Sequence, residues 1–253
     1  MEKWAIDFIK WCDQHQIEVP RTQEELENLE TFKAVGKQLT ELHPNIFYLK
    51  RLFRLILDDN LLKDLPLLPP NVFTISMKKN LLIEVPQNIA KLEDLRNLAL
   101  GRNMIREIPS WIGKFPALYS FECHENHIKS LEPLSQSTSL NILAVPFNEI
   151  EDLTPVYHLT NLTILDFSGN KIQAFDSRIR NLKNLEVLAG IKNKIVKFDL
   201  VFLIKRFYKM RVYLELSSGM KLNCYLLMKN ILSSPFAKAL AIKYYKRQQL
   251  VEE

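Results

Sequence analysis

Apolar residues along most of this chain fall in one fixed frame around a recurring asparagine. The asparagines are Asn60, Asn80, Asn103, Asn126, Asn148, Asn170 and Asn193, at intervals of 20, 23, 23, 22, 22 and 23 residues. Leucine-like residues stand eight, five and three places before each, and two and five places after it. Leu52, Leu55, Leu57, Asn60, Leu62, Leu65 is one copy, and Leu95, Leu98, Leu100, Asn103, Ile105, Ile108 is another. A degenerate copy precedes them (Leu29, Phe32, Ala34, Lys37, Leu39, Leu42), with Lys37 in the asparagine position, which makes eight copies over 29–198. A period of this length predicts a solenoid of stacked coils. Residues five and three places before the asparagine alternate, so they share the inward face of a short strand. The asparagine then turns the chain inward and bonds backbone groups that would otherwise be buried unpaired. Pro66, Pro86, Pro109, Pro133 and Pro155 follow the frame and begin an irregular convex return.

Outside the frame the pattern changes. Trp4, Phe8 and Trp11 are spaced as one stripe of an amphipathic helix over 2–15, which predicts a cap, 1–28, on the open end of the first repeat. After Phe198 the frame fades into a C-terminal cap, 199–253. There Val201–Ile204 reads as the start of a helix. Val212–Leu216 reads as a last strand of the sheet, Lys221–Leu232 as a helix, and Ser234-Pro235 as the opening of a second helix to about Gln249. Gly190 stands where the frame asks for a core side chain, and Phe198, Phe202 or Leu203 is expected to fill the gap.

The recurring frame resembles L-x-x-L-x-L-x-x-N-x-L, the signature of the leucine-rich repeat family. That resemblance implies an α/β leucine-rich repeat solenoid with a curved parallel sheet on its concave side. The repeat subtypes are mixed. The run Leu65-Pro66-Leu67-Leu68-Pro69-Pro70-Asn71-Val72 resembles the twenty-residue repeat of bacterial type III effectors. Val85-Pro86-Gln87-Asn88-Ile89-Ala90-Lys91-Leu92 is similar to the 23-residue class, and Leu131-Glu132-Pro133-Leu134 and Leu153-Thr154-Pro155-Val156 to the 22-residue class. Such a mixture is similar to leucine-rich repeat proteins of intracellular bacteria, some of which are secreted into host cells. The resemblance implies a protein-binding module and, within that bacterial group, a virulence effector that acts on a host protein.

Composition narrows the picture. The net charge of +5 is uneven: residues 197–253 carry 11 Lys+Arg against 4 Asp+Glu, and 1–196 carry 23 against 25. A near-neutral array is a poor match for nucleic acid on its concave face. The basic end supports a second reading, an adaptor that meets a membrane or nucleic acid through Lys243, Lys246 and Arg247. Three scattered cysteines, Cys12, Cys123 and Cys224, suggest no disulfide framework. Glu2, Lys3, Asp7 and Lys10 interrupt any signal-peptide core, so a cytoplasmic location is expected, or export without a classical signal peptide.

Candidate chemistry is sparse. His124-Glu125-Asn126-His127 invites a metal reading, but the frame puts Cys123 in the core, Asn126 in the turn, His124 on the concave side and His127 past the turn. Cys224 lacks an adjacent acid or base, and no phosphate loop or nucleophile elbow occurs. No enzyme activity, cofactor, metal or small-molecule substrate is expected, and a monomer is. The concave surface is the candidate site. Its expected members are Asp58, Lys78, Lys79, Arg96, Arg102, Tyr119, Glu122, His124, Glu125, Ile142, Phe147, Ile164, Asp166 and Ile191. Apolar groups beside bands of opposite charge suit a protein partner, aromatics anchoring and charges orienting.

Overall fold

A computed structural model describes residues 1–197, 211–216 and 221–223. Its organising element is one open sheet in which the strands lie side by side in chain order. The strands are β1 (Thr31–Lys33), β2 (Arg54–Ile56), β3 (Thr74–Ser76), β4 (Asn97–Ala99), β5 (Ser120–Glu122), β6 (Ile142–Ala144), β7 (Ile164–Asp166), β8 (Val187–Ile195), β9 (Arg211–Leu216) and β10 (Lys221–Asn223). From β1 to β9 every neighbouring pair is parallel, and corresponding frame positions sit in register from rung to rung. The convex return consists of short 3-10 turns and irregular backbone, as at Gln87–Lys91 after Pro86 and at Glu132–Leu134 and Thr154–Val156, which contain their prolines.

The frame residues form the core. Leu55, Leu98, Leu143 and Leu165 on the inner face of the strands are buried, as are the residues two and five places after each asparagine from Asn60 to Asn170. Burying one such side chain stabilises by about 1.5–3 kcal/mol, so the array is held by many equal increments rather than by one centre.

The asparagine ladder explains how the coils stay stacked. Each amide reaches back to the preceding repeat: its Oδ1 accepts from the backbone N–H two places after the previous asparagine position, and its Nδ2 donates to the carbonyl three places before it. Asn126 accepts from Ile105 N at 2.9 Å and donates to Leu100 O at 3.0 Å. Asn170 does the same with Ile150 N (3.0 Å) and Val145 O (2.9 Å). Asn60 accepts from Lys37 N and Leu39 N and donates to Ala34 O. Lys37 has no earlier repeat to bind, and its ammonium donates instead to Gln16 O at 2.6 Å.

The residue just before each asparagine position turns the chain in the left-handed region, from Gly36 and Asp59 through Phe147, Gly169 and Lys192. Six of these eight positions carry a side chain, at a conformational cost of roughly 1–2 kcal/mol each.

Helix α1 (Lys3–Gln14) lays its apolar stripe on the first repeat: the Phe8 ring lies 5.7 Å from Phe32, and Trp4 stacks on Tyr48 at 5.2 Å. A second short helix, α2 (Gln23–Glu27), was not expected; Thr22 caps it through its side chain. At the other end β9 joins β8 in parallel as a ninth rung, as the sequence predicts. Two expectations are corrected there. Lys221–Asn223 is not helical but a strand antiparallel to β9, because the chain doubles back on itself after the last rung. The space left by Gly190 is filled from inside the stack: a Cβ there would lie 2.4 Å from the Phe167 ring and 2.9 Å from Leu214. Phe198, Phe202, Leu203, Val201–Ile204, the rest of the expected helix to Leu232, the Ser234-Pro235 helix and Cys224 lie outside the described residues. No helix among the described residues is long and apolar enough to cross a membrane.

Candidate functional site

Each strand offers alternate side chains to the concave surface, and parallel register turns these into rows that run across the rungs. The expected site residues fall into such rows. Ile142 and Ile164 lie in the row that opens each strand, Glu122 and Asp166 in the middle row, and Asp58, Lys78, His124 and Ile191 in the row beyond it. Lys79, Arg102, Glu125 and Phe147 take the left-handed positions at the exit edge. Arg96 and Tyr119 are not strand residues. They precede β4 and β5 and line the entry edge of the face, Tyr119 with 46% of its surface exposed.

The first half of the face, repeats 2 to 5, is polar and paired with itself. Asp58 Oδ1 accepts from Ser76 Oγ at 2.6 Å and from Lys78 N at 2.8 Å. Lys78 Nζ pairs with Glu122 at 3.2 Å, reaching over the small floor of Ala99 and Gly101. Arg102 Nε donates to Glu125 at 2.9 Å, and Lys79 stands 3.8 Å from Asp59. The His124 ring lies where a side chain at Gly101 would have been, a Cβ there coming within 2.1 Å of it. Burial pushes the His124 imidazole below its ordinary value; Lys78 and Arg102 push the same way, while Glu125 and Glu122 oppose them.

The second half, repeats 6 to 8 with the β9 rung, is largely apolar, although the exposed Arg211 of β9 follows Val187 in its opening row. Ile142, Ile164 and Val187 are half-buried in one row, Ala144 and Ala189 in the next, which Tyr213 (41% exposed) continues on β9, and Ile191 (37%) and Phe147 (45%) stand further along the strands. Phe147 leans over Gly169, and Lys192 Nζ lies 5.1 Å from its ring centroid. One carboxylate, Asp166, sits in the middle of this surface. It accepts from Ser168 N at 2.9 Å, and no ion pair to it is formed among the described residues.

In the row that enters the strands, sequence reasoning found Arg96 and Tyr119 but missed Phe53 and Phe73. Phe53 and Phe73 stack at 5.6 Å, and the Arg96 guanidinium lies 5.3 Å above Phe73. The signal was present, an aromatic seven places before Asn60 and again before Asn80, but strand alternation does not extend to that position. The His-Glu-Asn-His segment is drawn apart as the frame predicts. Cys123 is buried and pushed well above its ordinary value by that burial, His124 faces the concave side, and His127 stands on the flank 3.4 Å from Glu149. Away from the strands, between the returns of repeats 4 and 5, lies an open depression of about 880 Å³. It is lined by Arg106, Lys114 and Lys129 together with Glu107, Glu132 and Glu149, so neither sign of charge prevails there.

With frame, parallel rungs and asparagine ladder in place, the assignment follows. The chain has the leucine-rich repeat fold. No family model matches it. Its fold superposes on internalin C2 of Listeria monocytogenes with a TM-score of 0.69 and 26% identity, covering 84% of this chain and 93% of that one. InlJ of the same bacterium matches with a TM-score of 0.64 and 26% identity, over 77% of this chain and 42% of its own. In sequence the leucine-rich repeat chain is 28% identical over 155 residues to a protein phosphatase 1 regulatory inhibitor subunit homologue of Arabidopsis thaliana. That match covers 51% of the chain and 47% of the plant protein, so the chain spans about half the length of that relative. Leucine-rich repeat proteins of this kind are generally protein-interaction modules.

Proposed function

We propose that this leucine-rich repeat chain binds a partner protein on its concave face, without catalysis, and that repeats 6 to 8 with the β9 rung anchor the partner. One observation carries the reading. The same rigid sheet exposes side chains already paired to each other in one half and unpartnered apolar side chains in the other. A preformed sheet loses little conformational freedom on binding, and clustered apolar and aromatic groups are the usual source of interface affinity. The expected contact residues are Ile142, Phe147, Ile164 and Ile191, with Tyr119, Arg102 and His124 toward the rim.

Affinity capture from lysates with the wild-type chain and with Ile164→Glu tests this. A protein retained by the wild type and by Glu93→Ala, at an exposed position outside the strands, but lost with Ile164→Glu, is the expected result. Capture that is indifferent to Ile164→Glu contradicts it.

The likeness to Listeria internalins supports a finer reading, an exported bacterial effector that acts on a host protein. Following a tagged copy during infection tests it: arrival in the host cell is expected, and retention in the producing cell counts against it.

A further inference from the structure

The geometry points to a specific occupant of the apolar half: an amphipathic helix of the partner whose apolar stripe carries a single Lys or Arg, seated on Asp166. This inference rests on the concave face being the binding surface and adds the chemistry of what fills it.

Three features carry it. The first is spacing. Ile142, Ile164 and Val187 form a row with one side chain per strand, and parallel strands lie about 4.8 Å apart. Neighbouring side chains on one helix face, three or four residues apart, are about 5–6 Å apart, so a helix crossing the rungs can place one side chain per strand. Same-face side chains of an extended segment are about 6.8 Å apart and fall out of step with the rungs within a few residues.

The second is backbone satisfaction. An extended segment laid here would bury its N–H and C=O groups against Ile, Val and Ala side chains, with nothing to accept or donate. The sheet's own backbone groups are occupied between the rungs. A helix brings its hydrogen bonds with it, so its backbone loses nothing on this floor.

The third is the charge. Asp166 is half-buried among apolar neighbours, held by one backbone N–H, and forms no ion pair among the described residues. A carboxylate in such surroundings is costly to cover unless a cation meets it, so a partner that buries this surface must bring one. The charged half shows the contrast, because its carboxylates Asp59, Glu122 and Glu125 already have cations. Lys192, at the exit edge, lies over the Phe147 ring and leaves the middle row to Asp166.

The test is selection of displayed peptides on the whole chain. One library consists of helix-forming peptides of about five turns with one face randomised, the other of random linear peptides of equal length. The expected clones come from the helical library and carry one Lys or Arg bordered by apolar residues three or four places to either side. Their binding should fall at least about thirtyfold with Ile164→Glu, as for a central anchor. It should fall about tenfold or more with Asp166→Asn. Because Ile164→Glu could disturb the sheet, a charge exchange gives a second reading. Asp166→Lys should abolish binding, and replacing the peptide's basic residue by Glu should restore it.

Enrichment of linear or proline-rich clones, enrichment of helices with an acid at the central position, or no enrichment from either library overturns the inference. If the enriched clones are lost with Lys78→Ala or Arg102→Ala but kept with Ile164→Glu, the inference fails while the concave-face reading stands. If they are indifferent to all of these variants, both fail.

Discussion

Repeats 2 to 5 and repeats 6 to 8 share one sheet, one core and one asparagine ladder, yet they turn different chemistry outward. In the first half every strong charge near the middle of the face has an answer within the chain: Asp58 with Ser76 and Lys78, Lys78 with Glu122, Arg102 with Glu125. In the second half isoleucines, a valine, a phenylalanine and a tyrosine surround a carboxylate that no described cation meets. The scaffold is thus indifferent to what it displays, since each displayed residue lies between two core residues that do the folding. A surface paired with itself gains little by meeting a partner, whereas an apolar surface gains by being covered.

The comparison fails if the two halves do not share a scaffold. Asn126→Ala and Asn170→Ala remove equivalent amides, each leaving a buried N–H of the preceding repeat without a partner and taking one of two donors from a buried carbonyl, Leu100 O or Val145 O. At about 1–3 kcal/mol for the orphaned N–H, either change should destabilise by about 2 kcal/mol, and by similar amounts. Urea unfolding checks this; a large difference between the two would mean that one half is held by contacts the other lacks.

Glycine substitutions sharpen the comparison at the next level. Gly190→Ala drives a Cβ into the buried Phe167 ring and should cost about 1–3 kcal/mol by overpacking. Gly101→Ala meets the His124 ring, which is only half-buried and can swing outward, so a smaller loss of melting temperature is expected. An equal loss at both positions would show His124 to be as firmly held as a core group.

The ion pairs of the first half should matter least to stability. A double-mutant cycle on Lys78→Ala and Glu122→Ala should give a coupling below about 1 kcal/mol, because both side chains are more than a third exposed. The pH dependence of His124 should also be small, with a definite sign. Its folded value lies below the ordinary 6.5, so the unfolded chain takes up the proton first. Stability from this group is therefore intact above that value and is lost as the pH falls below it. His43, also lowered by burial, acts in the same direction, so the variant must be compared with the wild type. Between about pH 7.5 and about pH 5.5 the loss of stability should be smaller in His124→Gln than in the wild type. A larger loss in the variant would reverse the sign.

The repeat frame was legible in the sequence because one asparagine and five apolar positions recur with a spacing that few arrangements can satisfy. The same regularity set the direction of His124 and the separation of Cys123 from the two histidines. The end of the array was less legible. Lys221–Asn223 pairs with β9 through backbone hydrogen bonds, which leave no side-chain signature, and Gly190 is compensated by Phe167, itself a regular core residue one repeat earlier. Within the candidate face, Arg96, Tyr119, Phe53 and Phe73 show the limit of reading by strand alternation: they stand one residue before the strands, where alternation does not yet apply. The left-handed turn at Phe147 was also invisible, because bulky residues rarely adopt it.

The most direct test of the central claim is equilibrium binding of a partner captured by the wild-type chain, or of a selected helical peptide, to Ile164→Glu and to Lys78→Ala side by side. The apolar half is the anchor if Ile164→Glu weakens binding at least about thirtyfold and Lys78→Ala by no more than a few-fold. A loss at Lys78→Ala that equals or exceeds the loss at Ile164→Glu would place the anchor in the charged half and contradict the account.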